Sequence, residues 1–469
     1  MPWGCRMMQL AQVSQVVDGQ LIGADTDLYG VTTDTRNSCH NELFIALKGE
    51  RFDAHDYVES AKQAGASAIL VEKNVVCDLP KILVKDSHIA LQKIAAWWRF
   101  QHVIPVVGVT GSVGKTSVKE MLACIFNELG KGLVTKGNFN NEIGVPLTLL
   151  NLKASDRYAI VEMGMNHAGE ISRLTNITKP TIALINNAGA AHLEGLGTVK
   201  AVARAKGEIF EGLNDDGVAI INEDDEYASL WHALVGKKKI ITFGVKSNAD
   251  VTAVYDLNVN GIKMRIKTHD NEFSLELSAL GQHNVLNALA AVAVATAANI
   301  PVNKIQAGLQ KYRPTNGRLT VESIGGIDLI DDTYNANPTS MKAAINVLAQ
   351  DENSILIVGD MAELGDSAER GHRDVGVHAQ QNGIGFLYAC GDFANITTSC
   401  FKREKRAYLH QDELIEKLSL DAFLKQRLLS MAILVKGSRS AKMEKVVERL
   451  RFLLTQNESS NFDGEQSKC

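Results

Sequence analysis

Thr110-Gly111-Ser112-Val113-Gly114-Lys115-Thr116 decides how the rest of this chain is read. It follows the apolar run Val103-Ile104-Pro105-Val106-Val107 and leads into Ser117-Val118-Lys119-Glu120-Met121-Leu122, which has helical character. An apolar strand entering a glycine turn that ends in Gly-Lys-Thr is a phosphate-binding design. Glycines let backbone N–H groups crowd phosphate oxygens, lysine adds a point charge, and the threonine hydroxyl is a Mg²⁺ ligand. The usual loop carries a glycine five places before the Gly-Lys pair. Val109 stands there, with Gly108 one residue earlier. The plainer alternative is an ordinary strand-to-helix turn with a surface lysine.

Outward from this loop, short β-branched runs alternate with helical stretches. Ala159-Ile160-Val161, Ile182-Ala183-Leu184-Ile185, Val218-Ala219-Ile220-Ile221 and Ile240-Ile241-Thr242-Phe243 read as strands. So do Ile355-Leu356-Ile357-Val358, Phe386-Leu387-Tyr388-Ala389 and Ile433-Leu434-Val435. Their apolar character is continuous rather than alternating, which means burial on both faces and an α/β sheet covered by helices. A chain of 469 residues is too long for one ordinary core. At roughly 100–200 residues per domain, three domains are expected. Soft boundaries fall near residue 102 and at the breaker-rich Arg313-Pro314-Thr315-Asn316-Gly317. The expected division is therefore 1–102, 103–313 and 314–455, with a polar, disordered tail over 456–469.

Composition narrows the function classes. With 49 Lys and Arg against 54 Asp and Glu, the net charge is −5. No global basic footprint for nucleic acid exists, so any phosphate binding is local. The 7 cysteines, at 5, 39, 77, 124, 390, 400 and 469, are odd in number and never at Cys-x-x-Cys spacing. That speaks against a disulfide framework or zinc ribbon and for a reducing cytosol. No run approaches the ~18 apolar residues of a membrane helix. The alanine-rich stretch Ala288–Ala298 reads as a buried helix. The first ten residues make a poor signal peptide, and Met7 and Met8 leave an internal start open.

In an open parallel sheet, ligands gather beyond the carboxyl ends of the strands. Glu162 follows one strand and suits Mg²⁺, a hard cation that seeks oxygen. Asn186, Asn187 and His192 follow another. Lys206, in Ala205-Lys206-Gly207-Glu208, reads by spacing as a helix-surface lysine. Asn138, Asn140 and Asn141 lie in an amide- and glycine-rich loop suited to a sugar or peptide, or simply to turning. Asn284 and Asn287, three apart on one helix face, read as base contacts or caps. Asp331-Asp332, Gly359-Asp360-Met361-Ala362-Glu363-Leu364-Gly365 and Lys436-Gly437-Ser438-Arg439 each follow a strand.

Taken together, these residues resemble the Mur ligase family over roughly residues 30 to 445. The family's phosphate loop, Thr-Gly-x-x-Gly-Lys-Thr/Ser, is matched at 110–116, and its central histidine–asparagine motif by Gly281 to Asn287. Asp331 to Met341, the 359–365 stretch and 436–440 are similar to the branch that joins D-alanyl-D-alanine to UDP-N-acetylmuramoyl tripeptide. The Asp-Asn-Pro-Arg motif of diaminopimelate-adding relatives is absent. The resemblance implies an α/β fold of three domains: an N-terminal uridine-substrate domain, a central ATP-binding domain and a Rossmann-like C-terminal domain. It implies an ATP-dependent acid–D-amino-acid ligase working through an acyl phosphate, with two Mg²⁺ ions and a carbamoylated Lys206.

Carried over by residue, the resemblance places Thr110, Gly111, Gly114, Lys115, Thr116 and Ser117 on the ATP phosphates. Thr116, Glu162, His192 and Lys206 become metal ligands, and Lys115, Lys206, His192 and Glu162 the catalytic group. Asn284, Asn287, Arg318 and Asp332 would line the nucleotide. Thr35, Arg36 and Lys48 resemble the uridine site. Asn138, Asn140 and Asn141 would touch the muramoyl peptide, and Asn335, Asn337 and Asp360 the dipeptide. A cytoplasmic monomer without nucleic-acid or membrane partners is expected. The rivals are a folylpolyglutamate synthase-like ligase and a non-ligating phosphate-loop protein.

Overall fold

The computed structural model describes residues 6–49, 52–258, 261–351, 353–420 and 431–466. The chain builds three main sheets in sequence order. In the first, five strands run Gln20–Ile22, Lys81–Leu83, Ala68–Val71, Glu42–Ile45, Gly30–Thr32, antiparallel at the first pair and parallel thereafter.

The central sheet has six parallel strands in the order Lys239–Phe243, Val218–Asn222, Ile182–Ile185, Val106–Thr110, Ala159–Glu162, Leu133–Val134. Every residue of Val106–Thr110, Ala159–Glu162 and Ile182–Ile185 is buried. That is the consequence of the continuous apolar runs. The chain leaves Val106–Thr110 toward one edge and later returns to its other side. The strand order therefore reverses there, and a crevice opens at its carboxyl end. The phosphate loop occupies that point. One face is covered by the helix Lys115–Asn127 and by Gln282–Ala297, whose alanines and valines are buried almost throughout.

The third sheet orders Thr320–Ile324, Ile327–Asp332, Met431–Lys436, Ser354–Gly359, Phe386–Cys390, Glu404–Tyr408. Only the first pair is antiparallel. Among the described residues, no helix is long and apolar enough to cross a membrane, and Cys39, Cys77, Cys124, Cys390 and Cys400 are free thiols.

Three sequence readings need correcting. The strand into the phosphate loop begins at Val106, not Val103, which is fully exposed. Pro105 has no N–H to give a ladder, although its carbonyl accepts from Ala159 N. A three-stranded antiparallel sheet, Thr252–Asn258, Gly261–Lys267 and Glu272–Leu277, was missed. Its signal was present: Gly261–Lys267 and Glu272–Leu277 alternate buried and exposed side chains, the period of a one-faced strand. Finally, the last helix runs Glu444–Gln466, into the segment expected to be disordered. Val446, Val447, Leu450 and Leu454 anchor it on the third sheet. Once nucleated, a helix gains one hydrogen bond per added residue.

Candidate active site

Helix Lys115–Asn127 starts at Gly114, whose φ of +80° favours glycine. A Cβ here would sit 2.3 Å from Asn287 Oδ1 and 2.6 Å from Asn186 Nδ2. Those amides brace the loop. Asn186 Nδ2 donates to Val113 O (3.0 Å) and to Asn287 Oδ1 (2.8 Å). Asn287 Nδ2 donates to Asn284 Oδ1 (2.9 Å), and Asn284 Nδ2 to Leu280 O (2.8 Å). Asn187 clasps both backbone groups of Val113, accepting from its N at 2.9 Å and donating to its O at 3.0 Å. Asn284 and Asn287, expected as nucleotide contacts, thus form a chain of amides that holds the phosphate loop from behind. Thr110 is also inward: fully buried, it donates to Met163 O at 2.9 Å. Ser117 is buried in the first helical turn.

Lys115 Nζ curls back to donate to Gly111 O at 2.7 Å, across the mouth of the loop. Burial pushes its pKa down, and the carboxylate of Glu162 works against that. Next to it, Thr116 Oγ1 donates to Glu162 Oε2 (3.1 Å), and Asn140 Nδ2 donates to Glu162 Oε1 (2.8 Å). Thr135 Oγ1 accepts from Glu162 N at 3.0 Å and anchors the strand end. The hydroxyl and carboxylate are hard oxygen donors of the kind Mg²⁺ takes alongside phosphate and water. Among the described residues, no three His, Cys, Asp or Glu side chains converge as a metal cage. A cation here would rest on Thr116, Glu162 and oxygens brought by substrate.

Lys206 is the largest departure from the spacing argument. It lies on helix Val199–Gly207 but is fully buried, and its Nζ has no hydrogen-bond partner. Burial, reinforced by the positive charge of Lys115, holds its pKa well below that of an ordinary lysine. An orphaned buried amine is costly, and it sits within electrostatic reach of the phosphate-loop lysine.

His192 adopts a left-handed backbone, φ 56°, at the start of the short helix Leu193–Leu196. Its Nδ1 lies 2.8 Å from Glu363 Oε2 of the third sheet's domain, close enough for an ion pair but off the line of a hydrogen bond. A second link between domains runs from Arg318 Nη2, which donates to Thr116 Oγ1 at 2.9 Å while its guanidinium stacks 4.2 Å over the Tyr334 ring.

Beyond the C-terminal strands, polar groups are mostly taken. Lys436 Nζ donates to Asp332 Oδ2 (2.6 Å) and to Asn335 O (2.9 Å). Burial pushes the Asp332 carboxyl up, opposed by that ammonium. Asn337 caps helix Pro338–Leu348: its Oδ1 accepts from Ser340 N at 2.9 Å, and Ser340 Oγ accepts from Asn337 N at 3.0 Å. Asp360 accepts from Asp392 N (2.8 Å) and Phe393 N (3.2 Å). Asn337 and Asp360, expected at the dipeptide, are engaged with backbone, and the exposed Asn335 accepts from Ala336 N at 2.9 Å. His372, which had no assigned role, ties the same loops. Its Nδ1 donates to Ala368 O at 2.8 Å and its Nε2 accepts from Met361 N at 2.9 Å, so the ring is neutral.

The expected uridine residues are the most open. Arg36 pairs with Asp34 at 2.7 Å with its side chain 87% exposed, holding the Asp34 carboxyl down at about 2. Thr35 is half-buried and Lys48 exposed. In the 137–144 loop, Asn138 is exposed and Asn141 Oδ1 accepts from Gly144 N at 2.8 Å. Three groups at the site were given no role from sequence: Glu363 and Lys436, although both lie in quoted strand-end motifs, and Asn187, read only as a neighbour of Asn186.

Family models match in the same chain order: "Mur ligase family, catalytic domain" at residues 27–99, "Mur ligase middle domain" at 109–295 and "Mur ligase, glutamate ligase domain" at 317–451. The chain is 43% identical over 447 residues to UDP-N-acetylmuramoyl-tripeptide–D-alanyl-D-alanine ligase of Escherichia coli, covering 94% of this chain and 98% of the relative. The structure is similar to MurF from Acinetobacter baumannii, with TM-score 0.90, 34% identity, and 97% and 99% of the two chains covered. It is also similar to MurF ligase from Thermotoga maritima in complex with ADP, with TM-score 0.82, 26% identity, and 91% and 98% covered. With the phosphate loop, the strand-end carboxylate and this breadth of likeness in hand, the chain belongs to the Mur ligase family.

Proposed function

We propose that this protein is an ATP-dependent ligase that joins D-alanyl-D-alanine to UDP-N-acetylmuramoyl tripeptide, a step in making peptidoglycan precursors. The observation that carries the reading is the grouping of Lys115, Thr116 and Glu162 at the sheet's crossover with the buried, unpartnered amine of Lys206. Relatives of 36–43% identity that span nearly the whole chain are named for this reaction.

A carboxylate and an amine do not condense at neutral pH, because oxide is a poor leaving group. In the proposed reaction the terminal carboxylate of the tripeptide attacks the γ-phosphorus of ATP. The new P–O bond forms as the bond to ADP breaks, giving an acyl phosphate. The amine of D-alanyl-D-alanine, freed of its ammonium proton by solvent, then attacks the acyl carbon; the C–N bond forms, the C–O bond to phosphate breaks, and the departing phosphate takes up the second proton from nitrogen. Lys115 offsets the charge of two anions that repel one another. Thr116 and Glu162 would hold Mg²⁺, with His192 on a second ion; bound there, the metal neutralises phosphate charge. Lys206, kept as a free amine by burial, is set to add CO₂ with loss of a proton, which would exchange an orphaned base for an anion beside Lys115. Arg318 and Asp332 approach the nucleotide from the C-terminal domain. Thr35, Arg36 and Lys48 take the uridine moiety, and Asn138 and Asn140 the muramoyl peptide. Contacts between the domains shut water from the acyl phosphate. Free thiols fit a cytoplasmic enzyme, and we propose that it works as a monomer.

The test is ADP release with ATP, Mg²⁺ and UDP-N-acetylmuramoyl tripeptide, with and without D-alanyl-D-alanine. Release that requires both co-substrates is expected. Release only with a folate and glutamate would replace the reading by the related ligase, and silence with every pair would leave a nucleotide-binding protein.

A further inference from the structure

The acceptor of this reaction arrives as an ammonium. It must be held over the acyl carbon until it gives up a proton and can attack, yet Glu162, the carboxylate at the phosphate loop, is already engaged by Thr116 and Asn140. The requirement is for a carboxylate that reaches the phosphate loop from the domain that closes over it. Glu363 meets this requirement. It lies beyond strand Ser354–Gly359 on a left-handed backbone, φ 62°, a conformation that glutamate rarely adopts and that marks functional loops. Its Oε2 stands 2.8 Å from His192 Nδ1, across the domain boundary. Its backbone O accepts from Glu194 N at 3.5 Å. Gly365 presses on the same segment, since a Cβ there would come within 3.3 Å of Glu194 Cα. The carboxylate also feels the charge of Lys115.

The neighbouring acids are otherwise engaged. Asp332 is held by Lys436, Asp360 by the amides of Asp392 and Phe393, and Asp331 by the hydroxyl and amide of Thr333. Glu363 stands beside His192 with its side chain 53% exposed.

We propose that Glu363 binds the α-ammonium of the incoming dipeptide and orients its nitrogen toward the acyl phosphate, which that nitrogen attacks once a proton has been lost to solvent. The inference rests on the ligase reading above. It makes Glu363 a substrate-binding residue supplied by the C-terminal domain, so the acceptor site is complete only when the domains meet. It also accounts for specificity toward an amine: a hydroxyl in its place carries no charge for the carboxylate to hold.

Glu363→Gln tests the idea in the full-length protein. The expected result is a rise in KM for D-alanyl-D-alanine of about ten- to a hundredfold, the weight of a charged hydrogen bond, with the KM values for ATP and the uridine substrate unmoved. Glu363→Asp, which keeps the charge and suits the left-handed backbone, should recover part of the loss. Hydroxylamine trapping without acceptor reads the first half-reaction. Acyl phosphate formed by both wild type and Glu363→Gln supports the assignment. In calorimetry, the lactoyl analogue, with hydroxyl for amine, should bind wild type weakly and bind Glu363→Gln as well as D-alanyl-D-alanine does. An unchanged acceptor KM, or an equal rise in KM for ATP, would overturn the proposal in favour of a latch or metal role. Absence of acyl phosphate in the wild type would instead overturn the ligase reading.

Discussion

The carboxyl ends of the two six-stranded sheets carry similar residues and use them differently. At the central sheet, burial leaves polarity unanswered: Lys206 Nζ and Asn186 Oδ1 have no partner. At the C-terminal sheet nearly every polar strand-end group is satisfied from within. Asp332 has Lys436, Asp360 has two backbone amides, and Asn337 has Ser340. An unsatisfied buried group costs about 1–3 kcal/mol and persists where a ligand completes it, whereas a satisfied one is accounted for by the fold. The contrast separates buried groups that the fold leaves unpartnered from groups whose burial the fold itself offsets.

Lys115→Ala strikes the unanswered side hardest. Turnover should fall about 10³-fold or more, while the uridine substrate, held by another domain, still binds in calorimetry. Full retention of turnover would remove the phosphate loop from the chemistry. Lys206→Met should abolish ligation and yet raise thermodynamic stability by about 1–3 kcal/mol, since it removes a buried amine without a partner. A stability loss of that size in urea unfolding would show that Lys206 is compensated in the native protein.

His283 lies between the two sheets, at the start of helix Gln282–Ala297, and burial with the nearby Lys436 ammonium holds its imidazole down at about 4. The unfolded value is about 6.5, so between those values the unfolded chain binds the extra proton. Stability should therefore fall as pH drops from 6.5 toward 4, by about 1–2 kcal/mol for this partly covered ring. His283→Gln should flatten that part of the profile in urea titrations at pH 7.5 and 5, and an unchanged slope would show a solvated ring. The smallest effect belongs to the satisfied side. Asn337→Ala should cost about 1 kcal/mol of stability through its lost cap and leave the KM for the dipeptide within about twofold, within the scatter of a lost surface contact. A large KM change would return Asn337 to the substrate.

Much of this was legible in the chain. Continuous β-branched runs revealed the parallel strands, and Gly114-Lys115-Thr116 after one of them located the crossover. Glu162 was readable because a strand end beside a phosphate loop is where oxygen ligands collect. The meander at 252–277 could have been found from its alternation. Lys206 was reached through the family resemblance alone: in Ala205-Lys206-Gly207 nothing local distinguishes a buried lysine from an exposed one. Nor could Asn337 and Asp360 be sorted, because asparagine and aspartate serve as caps and as ligands with the same atoms.

The sequence by itself therefore determined the layered α/β architecture, the phosphate loop and the family. Each depends on periodicity or on residues within one turn of each other. Only the tertiary structure decided which polar groups are free to act. Thr116 meets Arg318 across a separation of 202 residues, Asp332 meets Lys436 across 104, and Asn186 meets Asn287 across 101. Desolvation and partnering are set by whatever the fold brings within about 4 Å, and spacing along the chain carries no record of that.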